Sequence, residues 1–343
     1  MLVKYVAPLS GGLRTLSAGA AAIIVLWGVK QLGGIIGPAF LALTLTIAVS
    51  PLRNRLTGWA AALVPLAVIL LVLGLLGGAV GIAVARFADL VPKYADQFQH
   101  LVSSAAAVLH GLGIEQAQIK KALSGIDVGR VVQAAQSLLA GLTGTASAAV
   151  LMVLVLYGMS LDAVTFRRTL ARTAATRPHL VTALQGFARD TCRYLVVCTV
   201  FGLVVAAFDT VALVLLGVPL PLLWGLLSFI TNYIPNVGFV IGLIPPAALA
   251  LLDSGVATMV GVVVAYCVLN FLIQSVIQPK FTGESARLST AVTILSLLVW
   301  TWALGALGAI LAVPLSAFAR AVLIDADPAT AWASPLVTGK EEA

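Results

Sequence analysis

Long apolar runs are the feature that most constrains how this chain can fold. Eight stretches qualify or nearly qualify as membrane spans, because an α-helix of about 20 apolar residues crosses a hydrocarbon layer about 30 Å thick. Lipid is the solvent that such surfaces need, so the sequence predicts an all-α, polytopic membrane protein with about eight transmembrane helices. The predicted spans are residues 16–29, 33–52, 59–86, 141–161, 191–217, 219–252, 255–278 and 289–323.

Composition argues against the soluble classes. Of 343 residues, 61% are hydrophobic and 10% are charged, whereas ordinary soluble domains carry about 25% charged residues. The net charge of +7 falls mostly in short segments between the apolar runs. That distribution indicates contacts with anionic lipid headgroups, and it predicts membrane lipids and no nucleic acid as partners.

Two polar inserts interrupt what we predict to be a single transmembrane domain over residues 1–343. Residues 87–140 mix charged and apolar positions, which is typical of short amphipathic helices at a membrane surface. Residues 162–190 are basic and favour a headgroup-binding linker, with a regulatory or partner site as the alternative. Lys and Arg are more frequent in the alternate segments that include both termini. We therefore expect both termini and the 162–190 insert to be cytoplasmic, the 87–140 insert to be extracytoplasmic, and the protein to lie in the inner membrane.

No pattern of catalytic or cofactor-binding residues is visible. Gly339 and Lys340 lack the upstream glycine and the following Ser or Thr of a phosphate-binding loop, and no nucleophile elbow occurs. The histidines lie in the polar inserts without metal-ligand spacing, and the cysteines lie in apolar stretches without a CxxC pair. The sequence therefore predicts no enzyme, no catalytic residues, no cofactor and no metal site.

The sixth apolar run is interrupted in its middle by polar residues and helix breakers. Pro235 removes an amide donor, so a helix should break or kink there. Irregular backbone at membrane depth persists only where protein or a water-filled cavity satisfies its polar groups, and broken helices of transporters bind solutes in this way. A surface turn between two half-length helices is the alternative, and the sequence does not decide whether the run crosses the membrane or re-enters. The candidate pathway residues here are Asn232, Tyr233, Pro235, Asn236 and Gly238.

Two further polar features lie inside apolar runs. Asn270, Gln274 and Gln278 are four residues apart and share one helix face, which we expect to look into the bundle. They either line a pathway or join helices through hydrogen bonds. Asp209 is the acidic residue that lies well inside an apolar run, and it could carry a coupling proton or ion. It could instead lie near a headgroup boundary, cap a backbone break or pair with a basic side chain.

A series of short motifs between about residues 217 and 321 forms a specific pattern. The motifs are Leu222-Leu223-Trp224-Gly225, Asn232-Tyr233-Ile234-Pro235-Asn236-Val237-Gly238, Ile244-Pro245-Pro246, Gln278-Pro279-Lys280, Leu288-Ser289, Gly305-Ala306-Leu307-Gly308 and Ala312-Val313-Pro314. In this pattern the chain resembles the AI-2E family of autoinducer-2 exporter-like transporters. The N-terminal half is similar to the family in its span lengths and in the polar insert after the third span.

The resemblance implies an eight-span membrane protein that exports a small molecule such as the quorum-sensing signal autoinducer-2. In some relatives it implies exchange of Na⁺ or Li⁺ for protons, and it implies homo-oligomers. Some relatives carry Glu near the positions of Gln274 and Gln278, whereas this chain has neutral amides there. That difference weakens the case for proton coupling at this face and directs attention to Asp209.

We therefore expect a secondary transporter or facilitator that exports a small polar metabolite, with its path passing the broken sixth run and the amide face of the seventh. Its expected partners are membrane lipids, a small-molecule or ion substrate and further copies of the chain. Two alternatives stay open. One is a monovalent cation/proton antiporter that uses Asp209, and the other is a non-transport scaffold that recruits partners through its basic insert.

Overall fold

A computed structural model describes residues 11–94, 146–235, 237–278 and 288–339 of the chain, together with residues 97 and 103. All regular elements in these ranges are helical, so the predicted all-α membrane class is confirmed. Two π-helical segments, Phe271–Ile277 and Ala321–Asp325, directly follow the α-helices that end at Asn270 and Arg320. The α-helices are α1 (Gly11–Gln31), α2 (Gly33–Ala48), α3 (Ser50–Arg53), α4 (Ala60–Leu90), α5 (Ala146–Thr173), α6 (Pro178–Leu215), α7 (Pro221–Thr231), α8 (Gly238–Ser254), α9 (Val256–Asn270), α10 (Thr290–Ile310), α11 (Ala312–Arg320) and α12 (Ser334–Thr338).

Among the described residues, four helical stretches are long and apolar enough to cross a membrane: Ala60–Tyr94, Pro178–Leu215, Val256–Ile277 and Thr290–Ile310. Helices α1 and α2 meet at 90° and add a fifth span if the bent pair is counted as one. The remaining apolar helices are shorter than a bilayer requires. The protein is a polytopic helical membrane protein, but the expected number of eight spans is not confirmed.

The sixth apolar run is broken, as its sequence predicted. It forms α7 and α8, and the described residues between them, 232–235 and 237, form a turn. Helix α7 has 11 residues and rises about 16 Å, which is too short to cross the hydrocarbon layer. Gly225 in α7 faces Thr210, and Asn232 after α7 faces Gly202, so α7 runs antiparallel to α6. The α7–α8 pair is thus a helical hairpin that packs on α6 through α7 and on α9 through α8.

The eighth apolar run is also broken, in this case by a glycine. Gly305 has φ +64° and ψ −142°, a conformation that side chains with a Cβ rarely adopt. The chain turns back there, because Gly308 lies directly against the carbonyl oxygen of Trp300, whereas residues eight apart in a straight helix are separated by about 12 Å. The Trp300 indole N–H donates to the Ser316 hydroxyl at 2.8 Å, which ties the two arms together.

The largest buried cluster lies where α6, the α7–α8 hairpin and α9 meet. Trp224 and Tyr266 form its centre, and the Trp224 indole N–H donates to the Pro219 carbonyl at 2.9 Å. Phe87 of α4 stacks edge-on against Trp224 with ring centroids 5.6 Å apart. Helix α4 therefore joins this half of the bundle through its C-terminal end, while its N-terminal end packs with α2 and α5.

Most of the remaining helix surface is apolar and exposed. Leu71 of α4 is 62% exposed and Leu215 of α6 is 81% exposed. A soluble protein rarely leaves so many large apolar side chains uncovered. Lipid contact accounts for them, as expected for helices that are embedded in a bilayer.

The two polar inserts are only partly described. Within the 87–140 insert, residues 87–94 continue α4 and then form a short 3₁₀ turn, and nearly all of the rest lies outside the described residues. Residues 162–190 form the end of α5, a turn over 174–177 and the start of α6. The side of the membrane on which each insert lies stays a prediction.

We expect Gly308→Ala to destabilise the fold, because the added Cβ would overlap the Trp300 carbonyl oxygen, which is backbone and cannot rotate away. Overpacking of this kind costs about 1–3 kcal/mol. The thermal midpoint of the detergent-purified protein, followed by tryptophan fluorescence, should fall by several degrees. Gly158→Ala is the matched control, since a Cβ there meets no atom within 4 Å. Equal midpoints for both variants would contradict the proposed close approach.

Candidate functional site

Three amide side chains from two separate apolar runs form one hydrogen-bonded chain. The Gln274 amide nitrogen donates to the Asn270 side-chain oxygen at 2.7 Å and to the Asn232 side-chain oxygen at 3.1 Å. Asn232 follows α7, Asn270 ends α9, and Gln274 lies in the π segment that begins one residue after Asn270. The broken sixth run and the amide face of the seventh therefore meet at one place in the bundle.

Each end of this chain is anchored to helix backbone. The Asn232 amide nitrogen donates to the Cys198 carbonyl of α6 at 2.9 Å, and the Asn270 amide nitrogen donates to the Tyr266 carbonyl at 2.9 Å. Gly202 leaves the room for this approach, since a Cβ there would lie 3.0 Å from the Asn232 amide nitrogen. The amides therefore have defined orientations, and their carbonyl oxygens accept from Gln274.

A small cavity borders the amide chain. The space open to the centre of a water molecule is about 10 Å³, which corresponds to about one water. Hydroxyl and amide groups converge on it from α7 and α9, while Phe239 and Val205 supply apolar wall. As it stands, the cavity is a polar site for one very small molecule. Its lining residues are Val205, Ser228, Thr231, Asn232, Phe239, Gly242, Tyr266, Asn270 and Gln274.

Asp209 lies on α6 at the edge of this cluster and is fully buried. Within the described part of the chain, neither of its carboxylate oxygens has a hydrogen-bond partner, and the Tyr266 hydroxyl has none either. The Ser228 side chain lies beside both groups without completing a hydrogen bond to them. A carboxylate removed from water in this way is costly when ionised, and none of the residues lining the neighbouring cavity is basic.

Tyr233 forms a second polar layer next to the amide chain. The Thr199 hydroxyl donates to the Leu195 carbonyl at 2.7 Å, so it accepts from the Tyr233 hydroxyl, also at 2.7 Å. The Tyr194 hydroxyl donates to the Tyr233 carbonyl at 3.1 Å. Leu288 packs against the buried cluster that contains Tyr194. Along α6, the tyrosine layer lies between the N-terminal part of the helix and the amide cavity.

The other predicted site residues have mainly backbone roles or lie elsewhere. Pro235 lies in the turn, where its carbonyl accepts from Val237 N–H at 2.7 Å. Gly238 begins α8, and a Cβ there would overlap the Thr231 carbonyl oxygen. Asn236 lies outside the described residues. Gln278 caps the π segment and is not among the residues that line the cavity.

Sequence reasoning missed several members of the cluster. Ser228, Thr231 and Tyr266 line the cavity, and the Cys198 carbonyl anchors it. Tyr266 could have been found, because it lies four residues before Asn270 and extends the same stripe. The π segment had no sequence signal that we recognised, although such segments occur frequently at functional sites. Among the described residues, no group of three or more His, Cys, Asp and Glu side chains is placed to hold a metal.

Comparison with known proteins gives one family and several relatives. Residues 19–326 match the family described as AI-2E family transporter. A protein of Haemophilus influenzae named "Putative transport protein" is 30% identical over 93% of this chain and 94% of its own length. The AI-2 transport protein TqsA of Escherichia coli K12 is 27% identical over 88% of this chain and 89% of its own length.

We expect Asp209→Asn to keep or raise the thermal stability of the purified protein, because it removes a buried charge that has no partner among the described residues. Asn270→Leu is the comparison, since it breaks two hydrogen bonds and should cost about 1–3 kcal/mol. Thermal unfolding in the same detergent at neutral pH measures both variants. If Asp209→Asn lowers the midpoint as much as Asn270→Leu does, Asp209 is a structural residue.

Proposed function

Because the chain belongs to the AI-2E transporter family, we propose that it is a secondary transporter or facilitator that exports a small polar metabolite resembling autoinducer-2 across the inner membrane. The family assignment covers residues 19–326 and supports transport over enzymatic activity. The name of the Escherichia coli relative, AI-2 transport protein, supports the choice of solute. The Haemophilus influenzae and Escherichia coli relatives are both named as transport proteins, which argues against the scaffold alternative.

The observation that carries the proposal is the amide chain of Asn232, Gln274 and Asn270 beside a cavity inside an apolar bundle. Amides are costly against lipid and are retained where they meet each other, water or a solute. An amide both donates and accepts, so the cluster can bind an uncharged solute that carries hydroxyl or carbonyl groups. Such a solute needs no counter-charge, which fits the neutral character of the lining residues.

Passage of a metabolite requires this cavity to widen, because it holds about one water molecule. The hydrogen bonds from Gln274 to Asn232 and to Asn270 must break for the cavity to widen. A solute hydroxyl can replace either bond, so opening exchanges one hydrogen bond for another. Asn232 and Gln274 lie in irregular segments, the turn after α7 and the π segment, which are suited to this movement since neither is a continuous α-helix.

Partners and orientation complete the proposal. Membrane lipids cover the exposed apolar helices, and further copies of the chain form a homo-oligomer, as the family resemblance implies. Both termini lie on the cytoplasmic side, because Lys and Arg are more frequent in the segments assigned to that side. No cofactor takes part in the proposed transport step.

Asn232→Ala should reduce autoinducer-2 efflux from loaded proteoliposomes by about tenfold or more, since it removes the group that connects the amide chain to α6. Pro235→Ala should act in the same direction through the turn. The amount of folded protein, measured by size-exclusion chromatography, should fall much less. The control is Asn54→Ala, which alters an exposed asparagine after α3. Equal loss of folded protein and transport would favour a merely structural turn.

Asp209 favours a second candidate function, monovalent cation/proton antiport. Its carboxylate is fully buried and has no described partner, and the Ser228 and Tyr266 hydroxyls lie beside it. A single carboxylate neutralises a single charge, so a proton or a monovalent cation matches this site better than a divalent one. In this reading Asp209 alternates between the two ions, and an intramembrane carboxylate with no fixed partner is what such exchange requires.

For antiport, added Na⁺ should change the internal pH of proteoliposomes that contain a trapped pH-sensitive dye. Asp209→Asn should abolish this change, because the amide cannot exchange a proton. Asp162→Asn, which alters an exposed carboxylate on α5, should leave it intact. An unchanged response in Asp209→Asn removes that residue from coupling. Counterflow of autoinducer-2 without a Na⁺ response supports the facilitator, and neither activity in folded protein supports the scaffold.

A further inference from the structure

A second and larger cavity lies near the N-terminal end of α6. It has a volume of about 420 Å³, within the range of about 300–1,000 Å³ that is typical of small-molecule sites. Helix α6, helix α11 and the π segment that follows α11 form its walls. None of its lining residues belongs to the amide cluster.

The charged groups of this cavity occur in oppositely charged pairs. The Arg320 guanidinium lies 3.2 Å from one carboxylate oxygen of Asp325 and 3.3 Å from the other, with the Arg320 side chain only 12% exposed. At the rim, Arg189 lies 3.8 Å from Asp190. An anionic ligand would have to compete with a carboxylate for each guanidinium. An uncharged hydroxyl has no such conflict, since it can accept from the guanidinium and donate to the carboxylate.

The rest of the wall is apolar. Phe187 is buried in the wall and stacks edge-on with Phe318 at 5.3 Å between ring centroids. Ala183, Ala317 and Ala321 lie beside it. Polar groups on one side and small apolar groups on the other suit a compact solute whose hydroxyls point one way and whose C–H groups point the other.

The position of this cavity connects it with the amide cluster. Both lie along α6, and Phe187 and Val205 are separated by about 27 Å of helix. Along α6, the tyrosine layer of Tyr194 and Tyr233 lies between them. Leu288 lines the large cavity and packs against the buried cluster that contains Tyr194. A solute in the large cavity therefore lies on the other side of the tyrosine layer from the amides.

We propose that the cavity between the N-terminal part of α6 and α11 is a second solute site, at which an uncharged, hydroxyl-bearing molecule binds before it passes the tyrosine layer. This inference rests on the proposed transport function, and it assigns the recognition step to Arg320, Asp325, Arg189 and Asp190. Binding here precedes any opening of the amide cavity, so it does not require transport to occur.

A larger side chain at Gly186 is expected to block the proposed second solute site. It lines the large cavity, and a Cβ built on it meets no atom within 4 Å. Gly186→Leu therefore adds a bulky side chain at the cavity wall with no collision at its Cβ, and it replaces a helical glycine with a better helix former. Gly186→Ala adds only a methyl group. Gly158→Leu is the matched control on α5, where a Cβ also meets nothing within 4 Å.

Isothermal titration of autoinducer-2 into the purified full chain tests the proposal. We expect Gly186→Leu to weaken binding by about tenfold or more, while Gly186→Ala and Gly158→Leu stay within about twofold of wild type. A thermal midpoint equal to or above that of wild type would show that Gly186→Leu is folded.

Two results would overturn the proposal. They are no binding of autoinducer-2 to wild type, and undiminished binding in folded Gly186→Leu. Displacement of bound autoinducer-2 by phosphatidylglycerol micelles would identify a lipid headgroup as the occupant and would also overturn it. Efflux from proteoliposomes is scored separately, so a chain that binds at this cavity but does not transport contradicts only the proposed function.

Discussion

Every polar group inside the apolar bundle must find its partner within the protein, because lipid offers none. Straight helices meet this requirement through their own backbone, but the breaks at 232–237 and Gly305 do not. At the first break, a side chain of a neighbouring helix takes over: the Tyr194 hydroxyl donates to the Tyr233 carbonyl. The Asn232 side chain in turn donates to the Cys198 carbonyl of α6, and Gly202 leaves room for this approach. The irregular backbone and the polar cluster therefore depend on each other.

Asp209 is a buried polar residue whose carboxylate has no hydrogen-bond partner among the described residues. Its carboxylate is fully buried, and the Ser228 and Tyr266 hydroxyls lie beside it without completing a hydrogen bond. Groups that reduce stability without a compensating contact are concentrated at functional sites. The amide chain, by contrast, is internally bonded and stable as it stands. The two features accordingly support different functions: the amides suit an uncharged solute, and the carboxylate suits an ion.

The two cavities, the tyrosine layer and Asp209 all lie along helix α6. The large cavity lies near its N-terminal end, the tyrosine layer follows, and the amide cavity and Asp209 lie beyond. The polar sites therefore lie one after another along α6, which is a continuous helix. The turn after α7 and the π segment, which face the amide cavity, are irregular. A rigid wall opposite two irregular segments allows local opening without disruption of the bundle.

The sequence by itself determined the membrane class, the break in the sixth apolar run and the candidate residues Asn232, Asn270, Gln274 and Asp209, because these follow from local composition, proline chemistry and helical period. The sequence did not determine the number of spans. The length of an apolar run does not distinguish a straight helix from a chain that turns back, as this one does at Gly305. Only the tertiary structure brought Gln274 to Asn232, 42 residues apart in the chain, and recruited Ser228 and Tyr266. It also left Asp209 without a described partner. Such contacts depend on how helices cross, and a single sequence contains no periodic signal for that.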